Sequence, residues 1–173
     1  STGYDHIDIK ECKKRKITVC NVPIYGENTV AEHTFALILS LSRNVHKSYI
    51  RSLKCDYSID GLQGFDLRNK TIGVIGAGHI GHHVIKIAHG FGMDILVNDS
   101  HPDNFLLEVF DFKFVKLNEL LKKSDIITIH CPLNKNTKHL INKQNMKLVK
   151  KGAILINTSR GGIVSTDALI YGL

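Results

Sequence analysis

The chain has 173 residues, is 43% hydrophobic with 14 glycines, and carries 23 Lys and Arg against 16 Asp and Glu for a net charge of +7. That is the size of about one domain at roughly 100–200 residues each, apolar enough to build a core and so not a disordered polymer. It holds no run of 18 apolar residues of the kind that crosses a bilayer, and its opening lacks the basic stretch and apolar segment of a signal peptide.

A basic chain raises the question of nucleic acid. The lysines sit singly or in pairs, such as Lys13-Lys14, Lys122-Lys123 and Lys150-Lys151, with no aromatic stripe beside them. That pattern argues against nucleic acid and for a solvated surface that favours anionic ligands. Cys12, Cys20, Cys55 and Cys131 form no CxxC pair and no metal spacing. Scattered thiols suggest a reducing, cytoplasmic setting.

Ile7, Ile9 and Cys12 predict one face of a short helix, and the β-rich Ile17-Thr18-Val19-Cys20-Asn21-Val22 predicts a strand ended by Pro23. Thr29-Val30-Ala31-Glu32 fits a capping box, in which the hydroxyl and the carboxylate satisfy each other's backbone donors. The helix it would open is apolar nearly all round (Phe35, Ala36, Leu37, Ile38, Leu39, Leu41) and therefore buried on more than one side, between domains or subunits. Residues 50–70 are polar, with Gly61 and Gly64, and read mostly as loop. From residue 71 onward strands and helices alternate. Strands are expected at residues 71–75, 94–98, 112–115, 125–129 and 153–157. Helices are expected from the glycine-rich turn to Gly90, at 101–109, 117–123 and 143–149, and from Thr166. Short apolar strands alternating with helices imply a parallel sheet with crossover connections.

Gly76-Ala77-Gly78-His79-Ile80-Gly81 places GxGxxG between the first of these strands and its helix. Gly76 permits the tight turn, Gly78 has no side chain to block a pyrophosphate, and Gly81 lets helix and strand approach. The helix N-terminus offers free N–H groups and about half a positive charge. The next strand delivers Asp99, 18 positions after Gly81. A carboxylate there accepts from both ribose hydroxyls and repels a 2′-phosphate. Ser100 and His101 come after it rather than an arginine, so the cofactor expected is NAD and not NADP. A bland glycine-rich turn and a methyltransferase remain the alternatives on these residues alone.

The remaining motifs are Ser1-Thr2-Gly3-Tyr4-Asp5-His6-Ile7-Asp8, Asn21-Val22-Pro23-Ile24-Tyr25 running to Glu32-His33, His130-Cys131-Pro132-Leu133 with Thr137, and Gly152 through Gly162 containing Asn157-Thr158-Ser159-Arg160. With the glycine turn and Asp99 they resemble the D-isomer-specific 2-hydroxyacid dehydrogenases over essentially the whole chain. The resemblance implies an α/β fold, a Rossmann-type doubly wound parallel sheet, here incomplete. Residues 1–24 would be the end of the first part of a substrate domain, and residues 25–173 an NAD-binding domain cut before its last strands. It also implies that His79 and Ile80 lend backbone N–H groups to the pyrophosphate and that Asp99 holds the ribose. Cys131, Pro132 and Thr137 would line the cofactor groove, with Thr158, Ser159 and Arg160 at the nicotinamide end.

Arg160 comes after a strand and precedes Gly161-Gly162, where a planar guanidinium could grip a substrate carboxylate in bidentate fashion. The family's proton donor, a histidine tuned by a glutamate, lies downstream of the arginine turn, and this chain ends thirteen residues after Arg160. Two expectations are therefore open. The chain is part of a dehydrogenase of small 2-oxo and 2-hydroxy acids, inactive by itself, or it is a catalytically incomplete NAD-binding or corepressor-like module. The Tyr25 stretch looks like the D-lactate branch. The helix of residues 29–43, from Thr29 through Arg43, is the implied homodimer contact.

Overall fold

The computed structural model describes residues 3–102 and 110–173. Among them, five strands form one parallel sheet: β1 (Thr71–Ile75), β2 (Asp94–Asn98), β3 (Lys113–Phe114), β4 (Ile126–Ile129) and β5 (Ile154–Asn157). Their spatial order is β3-β2-β1-β4-β5. The direction of winding reverses between β1 and β4, the kind of switch point outside which ligands bind in open α/β sheets.

Alternation along the strands sends side chains to two cores. On one face Ile72, Val74, Ile95, Val97 and Ile126 pack with Phe35 and Ile38 of α2 (Glu27–Ser42) and with Val84, Ile85 and Ala88 of α4 (His79–Gly90). On the other, Ile75, Leu96, Ile127 and Ile129 meet Leu120 and Leu121 of α5 (Leu117–Lys123), Met146 of α6 (Lys143–Met146) and Ala168 of α7 (Thr166–Gly172). The sheet is thus covered on both faces, which is why its strands read as continuous apolar runs. Asp125 ties the amino ends of β1 and β4 together, accepting from Thr71 N–H and from Lys150 Nζ at 2.9 Å each.

The register brings the carboxyl ends of the strands level. Ile75 is opposite Asn98 on one side and Ile129 on the other, and Ile129 is opposite Asn157. Four strands therefore end in one row, and the residues just beyond them share one edge.

Several expectations are corrected. Residues 17–22 are irregular, with Ile17 and Val22 about half exposed. Their β propensity finds no neighbouring strand among the described residues, and propensity without a ladder does not make a strand. The capping box at Thr29 does not form. Gly26, at φ +67°, caps the helix three residues earlier, so α2 begins at Glu27 and Thr29 lies inside it. Within the single chain, Ala31, Thr34, Phe35, Ile38 and Ser42 of α2 make one buried stripe, while Leu37 and Leu41 face out. The next helix, α3 (Val45–Leu53), runs into the stretch expected to be loop. The short N-terminal helix is α1 (Ile9–Lys14), capped by Asp8, with none of its residues buried. The helix expected at residues 101–109 falls mostly outside the described residues.

Gly73, in the middle of β1, lets α5 lie close. A Cβ there would come within 2.4 Å of both Leu120 Cδ2 and Ser124 Oγ. Both residues are fully buried, so Gly73→Ala is expected to cost about 1–3 kcal/mol by overpacking, read as a lower urea midpoint with an unchanged slope.

Candidate cofactor and substrate site

Beyond the row of strand ends stand Gly76 after β1, Asp99 after β2, His130 after β4 and Thr158 after β5. Each owes its place to the sheet register, not to local sequence.

Gly76 has φ +95° and donates its N–H to Asn98 O at 2.8 Å. A Cβ on it would come within 2.8 Å of the His130–Cys131 backbone. Gly81 lies against the same turn: a Cβ there would overlap the carbonyl oxygen of Gly76. Only two glycines allow α4 to press this closely on β1. At Gly78, by contrast, a Cβ would meet nothing within 4 Å, so the space above it is open. The first intrahelical bond of α4 runs from His82 N–H to Gly78 O, and the N–H groups of His79, Ile80 and Gly81 precede any carbonyl that could receive them. An open cradle faced by such donors and the positive helix end suits a diphosphate. The residues present fit NAD.

Asp99 is less free than the sequence suggests. Its Oδ2 accepts from Ala77 N–H at 2.6 Å and its Oδ1 from His101 N–H at 2.7 Å. The carboxylate thereby ties the glycine turn to the end of β2, and lone pairs remain on both oxygens for further donors. Glu27, which sequence spacing does not single out, lies next to the N-terminus of α4. Its carboxylate is 3.4 Å from His79 Nδ1 and 3.8 Å from His83 Nε2.

On the far side of the switch point, His130 is largely buried. Its Nε2 is 2.7 Å from the Thr128 hydroxyl, and its Nδ1 has no hydrogen-bond partner. Burial pulls its pKa from 6.5 to about 4, because an apolar surround disfavours the imidazolium. Burial also raises the Cys131 thiol, with the Asp99 charge acting the same way. Thr137 donates its hydroxyl to Pro132 O and accepts from Asn134 N–H, so it braces its own turn beside Cys131 and Pro132.

The turn after β5 is built by Asn157, whose side chain accepts from Ser159 N–H at 3.0 Å and donates to Arg160 O at 3.0 Å. Ser159 Oγ donates to Ile129 O at 3.1 Å, fastening the turn to β4. Thr34 of α2 gives its one hydroxyl proton to Val30 O at 2.8 Å, so Thr158, 3.1 Å away, must donate to it. Arg160 leaves this turn in extended backbone and is met by Asp5, with Nε at 3.0 and 3.1 Å from the two carboxylate oxygens. Sequence spacing gives no hint of this contact across 155 residues. Among the described residues no group of three or more His, Cys, Asp or Glu could hold a metal, and no helix is long and apolar enough to cross a membrane.

Comparison with known proteins agrees with this geometry. The family model described as D-isomer specific 2-hydroxyacid dehydrogenase, NAD binding domain, matches residues 35–173. A 2-hydroxyacid dehydrogenase homolog of Schizosaccharomyces pombe is 45% identical over 97% of this chain and 51% of its own length. The apo structure of D-lactate dehydrogenase from Escherichia coli superposes with a TM-score of 0.93 at 37% identity, covering 99% of this chain and 54% of that one. D-lactate dehydrogenase from Aquifex aeolicus, solved with NAD and lactic acid, gives a TM-score of 0.89 at 43% identity, covering 98% and 51%. The chain spans about half the length of the relatives it matches.

The state of His130 sets an acid limit. Its folded pKa of about 4 lies below the ordinary 6.5, so the unfolded chain takes up the proton first. The stabilising contribution is present above about pH 6.5 and is lost as pH falls towards 4, on the order of 3 kcal/mol in all. Urea unfolding of His130→Asn should show an acid limb flatter than wild type by a comparable amount.

Proposed function

The chain belongs to the D-isomer specific 2-hydroxyacid dehydrogenase family and carries its NAD-binding domain, and from that premise we propose that it is the cofactor-binding part of an enzyme interconverting a D-2-hydroxy acid and its 2-oxo acid. The observation that carries the proposal is the alignment of the glycine turn, Asp99, His130 and the Arg160 turn on one edge of the sheet. An elongated cofactor laid along that edge would have its diphosphate at α4 and its nicotinamide towards Arg160.

In this reading Gly76, Gly78 and Gly81 shape the cradle, and the N–H groups of His79 and Ile80 bind the pyrophosphate. Asp99 accepts from the ribose, and Cys131, Pro132 and Thr137 form the wall. Thr158 and Ser159 hold the turn from which Arg160 grips the substrate carboxylate. The bound NAD supplies the hydride or accepts it. We assign the substrate to D-lactate/pyruvate or a close analogue, supported by the Tyr25 stretch and by relatives that bear the name D-lactate dehydrogenase. Residues 1–24 are assigned to the substrate domain and 25–173 to the nucleotide domain. The absence of buried residues in α1 and the exposure of Ile17, Val22, Ile24 and Tyr25 support that division.

The proton for the new hydroxyl is assigned to a group outside these 173 residues. His130 is neutral at pH 7 and hydrogen-bonded into β4, a poor general acid, while His79 and His83 face Glu27 beside the pyrophosphate cradle. This favours a second reading for the chain taken alone, that of an NAD-binding module without turnover. The full gene product should oxidise NADH with pyruvate, monitored by ultraviolet absorbance, whereas the 173-residue chain should quench or shift NADH fluorescence without consuming it. Turnover by the chain alone would place the acid within it.

Asp99→Ala removes both the ribose acceptor and the brace on Ala77. A roughly tenfold loss of NADH affinity is expected, about 1.4 kcal/mol, with selection against NADPH relaxed; fluorescence titration with both coenzymes reads it. Homodimerisation is assigned to α2, supported by exposed Leu37 and Leu41 and by Val45, Tyr49 and Ile50 on the adjoining α3. Leu41→Lys is expected to shift the full gene product from dimer to monomer in light scattering while leaving the inner face of α2 intact.

A further inference from the structure

Arg160 is a partly exposed arginine on a turn, and a free arginine side chain carries about 2 kcal/mol of rotamer entropy. Something must hold its plane if it is to present a fork to a small acid. The structure supplies that from the other end of the sequence. Asp5 sits in a turn closed by Ile7 N–H to Tyr4 O at 3.0 Å, directly before α1, whose cap Asp8 accepts from Glu11 N–H at 2.9 Å. From there its carboxylate takes the side edge of the guanidinium: Nε at 3.0 and 3.1 Å and Nη2 at 2.9 Å. Arg160 Nη1 donates to Ser159 O at 3.2 Å. A guanidinium has five N–H groups. Nε and one N–H of Nη1 are engaged in hydrogen bonds and Nη2 lies in ion-pair contact with Asp5, so among the described residues each terminal nitrogen keeps at least one N–H for a further acceptor.

We propose that Asp5 is a positioning residue for Arg160, fixing the guanidinium by its side edge so that the terminal nitrogens remain for the carboxylate of a 2-oxo acid. The proposal rests on the dehydrogenase reading and deepens it. The hydrogen bond from Arg160 holds the Asp5 carboxyl below the usual range, so the pair stays ionised at neutral pH. Gly3 is the second half of the device. A Cβ on Gly3 would lie 1.9 Å from Arg160 Nη2, so the guanidinium occupies space that any other residue at position 3 would fill. Because the atom displaced is the tip of a flexible side chain, Gly3→Ala moves the guanidinium at little expense to the fold.

The test uses the full gene product with NADH and pyruvate, comparing wild type, Asp5→Ala, Asp5→Asn and Gly3→Ala. Misplacing an anchoring group by an ångström can cost up to about a hundredfold. Asp5→Ala is expected to raise KM for pyruvate and lower kcat, each roughly tenfold. Asp5→Asn, whose carboxamide oxygen still accepts from Nε, should recover part of both. Gly3→Ala should reproduce the KM shift with Asp5 intact. NADH affinity, titrated by fluorescence, should stay within about twofold throughout, since the pyrophosphate and ribose groups lie elsewhere along the sheet edge. A lower KM in Asp5→Ala would mean that Asp5 competes with substrate and would overturn the proposal, as would unchanged constants in Asp5→Ala and Gly3→Ala. Loss of NADH affinity in all three variants would show a role in folding instead, which also overturns it. A wild-type protein inert towards every 2-oxo acid sinks the dehydrogenase reading and this proposal with it, whereas an active wild type with indifferent variants removes only Asp5.

Discussion

The approach of α4 to β1 is the constraint on which the rest depends. The missing Cβ of Gly81 lets the first turn of the helix lie against the carbonyl of Gly76, and Gly76 itself can enter the turn only with positive φ. Close approach aims three unpaired N–H groups at the space over Gly78. The same approach packs Val84, Ile85 and Ala88 onto β1 and β2, so the anion cradle and one of the two cores have a single origin. A larger residue at Gly81 would damage both at once.

Strands β1, β2 and β4 are legible in the sequence because they are mostly buried apolar runs bounded by glycine, charge or a helix signal. GxGxxG is legible for the same reason as its function: backbone geometry this tight leaves few residue choices. What fails does so for want of tertiary partners or because a neighbour overrides the local signal. Residues 17–22 have the composition of a strand, yet a strand exists only beside another, and sequence does not say where the neighbour lies. Thr29 and Glu32 satisfy a capping pattern, but Gly26 in the left-handed region starts α2 ahead of it. Helix α3 escapes a reading by apolar pattern because its apolar residues, Val45, Tyr49, Ile50 and Leu53, are exposed and mixed with charge. Of the site, Arg160 can be read from its turn. Asp5 cannot, since it is part of a recognisable stretch whose partner lies 155 positions away.

The charge distribution separates surface from site. The chain is basic overall, yet the groups that shape its edge include three carboxylates. Asp99 receives two backbone N–H groups and Asp5 receives Arg160, while Glu27 lies by His79 and His83 with its Oε1 left without a hydrogen-bond partner among the described residues. Asp99 and Asp5 hold local geometry through short hydrogen bonds, which salt screens far less than it screens the diffuse positive field of the scattered lysines. The field favours the arrival of anions in general, whereas these carboxylates act only on their immediate neighbours.

The pair of threonines linking α2 to the turn after β5 has a directional consequence. Thr34 has spent its proton on Val30 O, and Thr158 has spent its own on Thr34. The chain of protons therefore runs one way, from turn to helix, and leaves Thr158 presenting lone pairs alone. A group that comes to rest against that oxygen must bring a hydrogen with it.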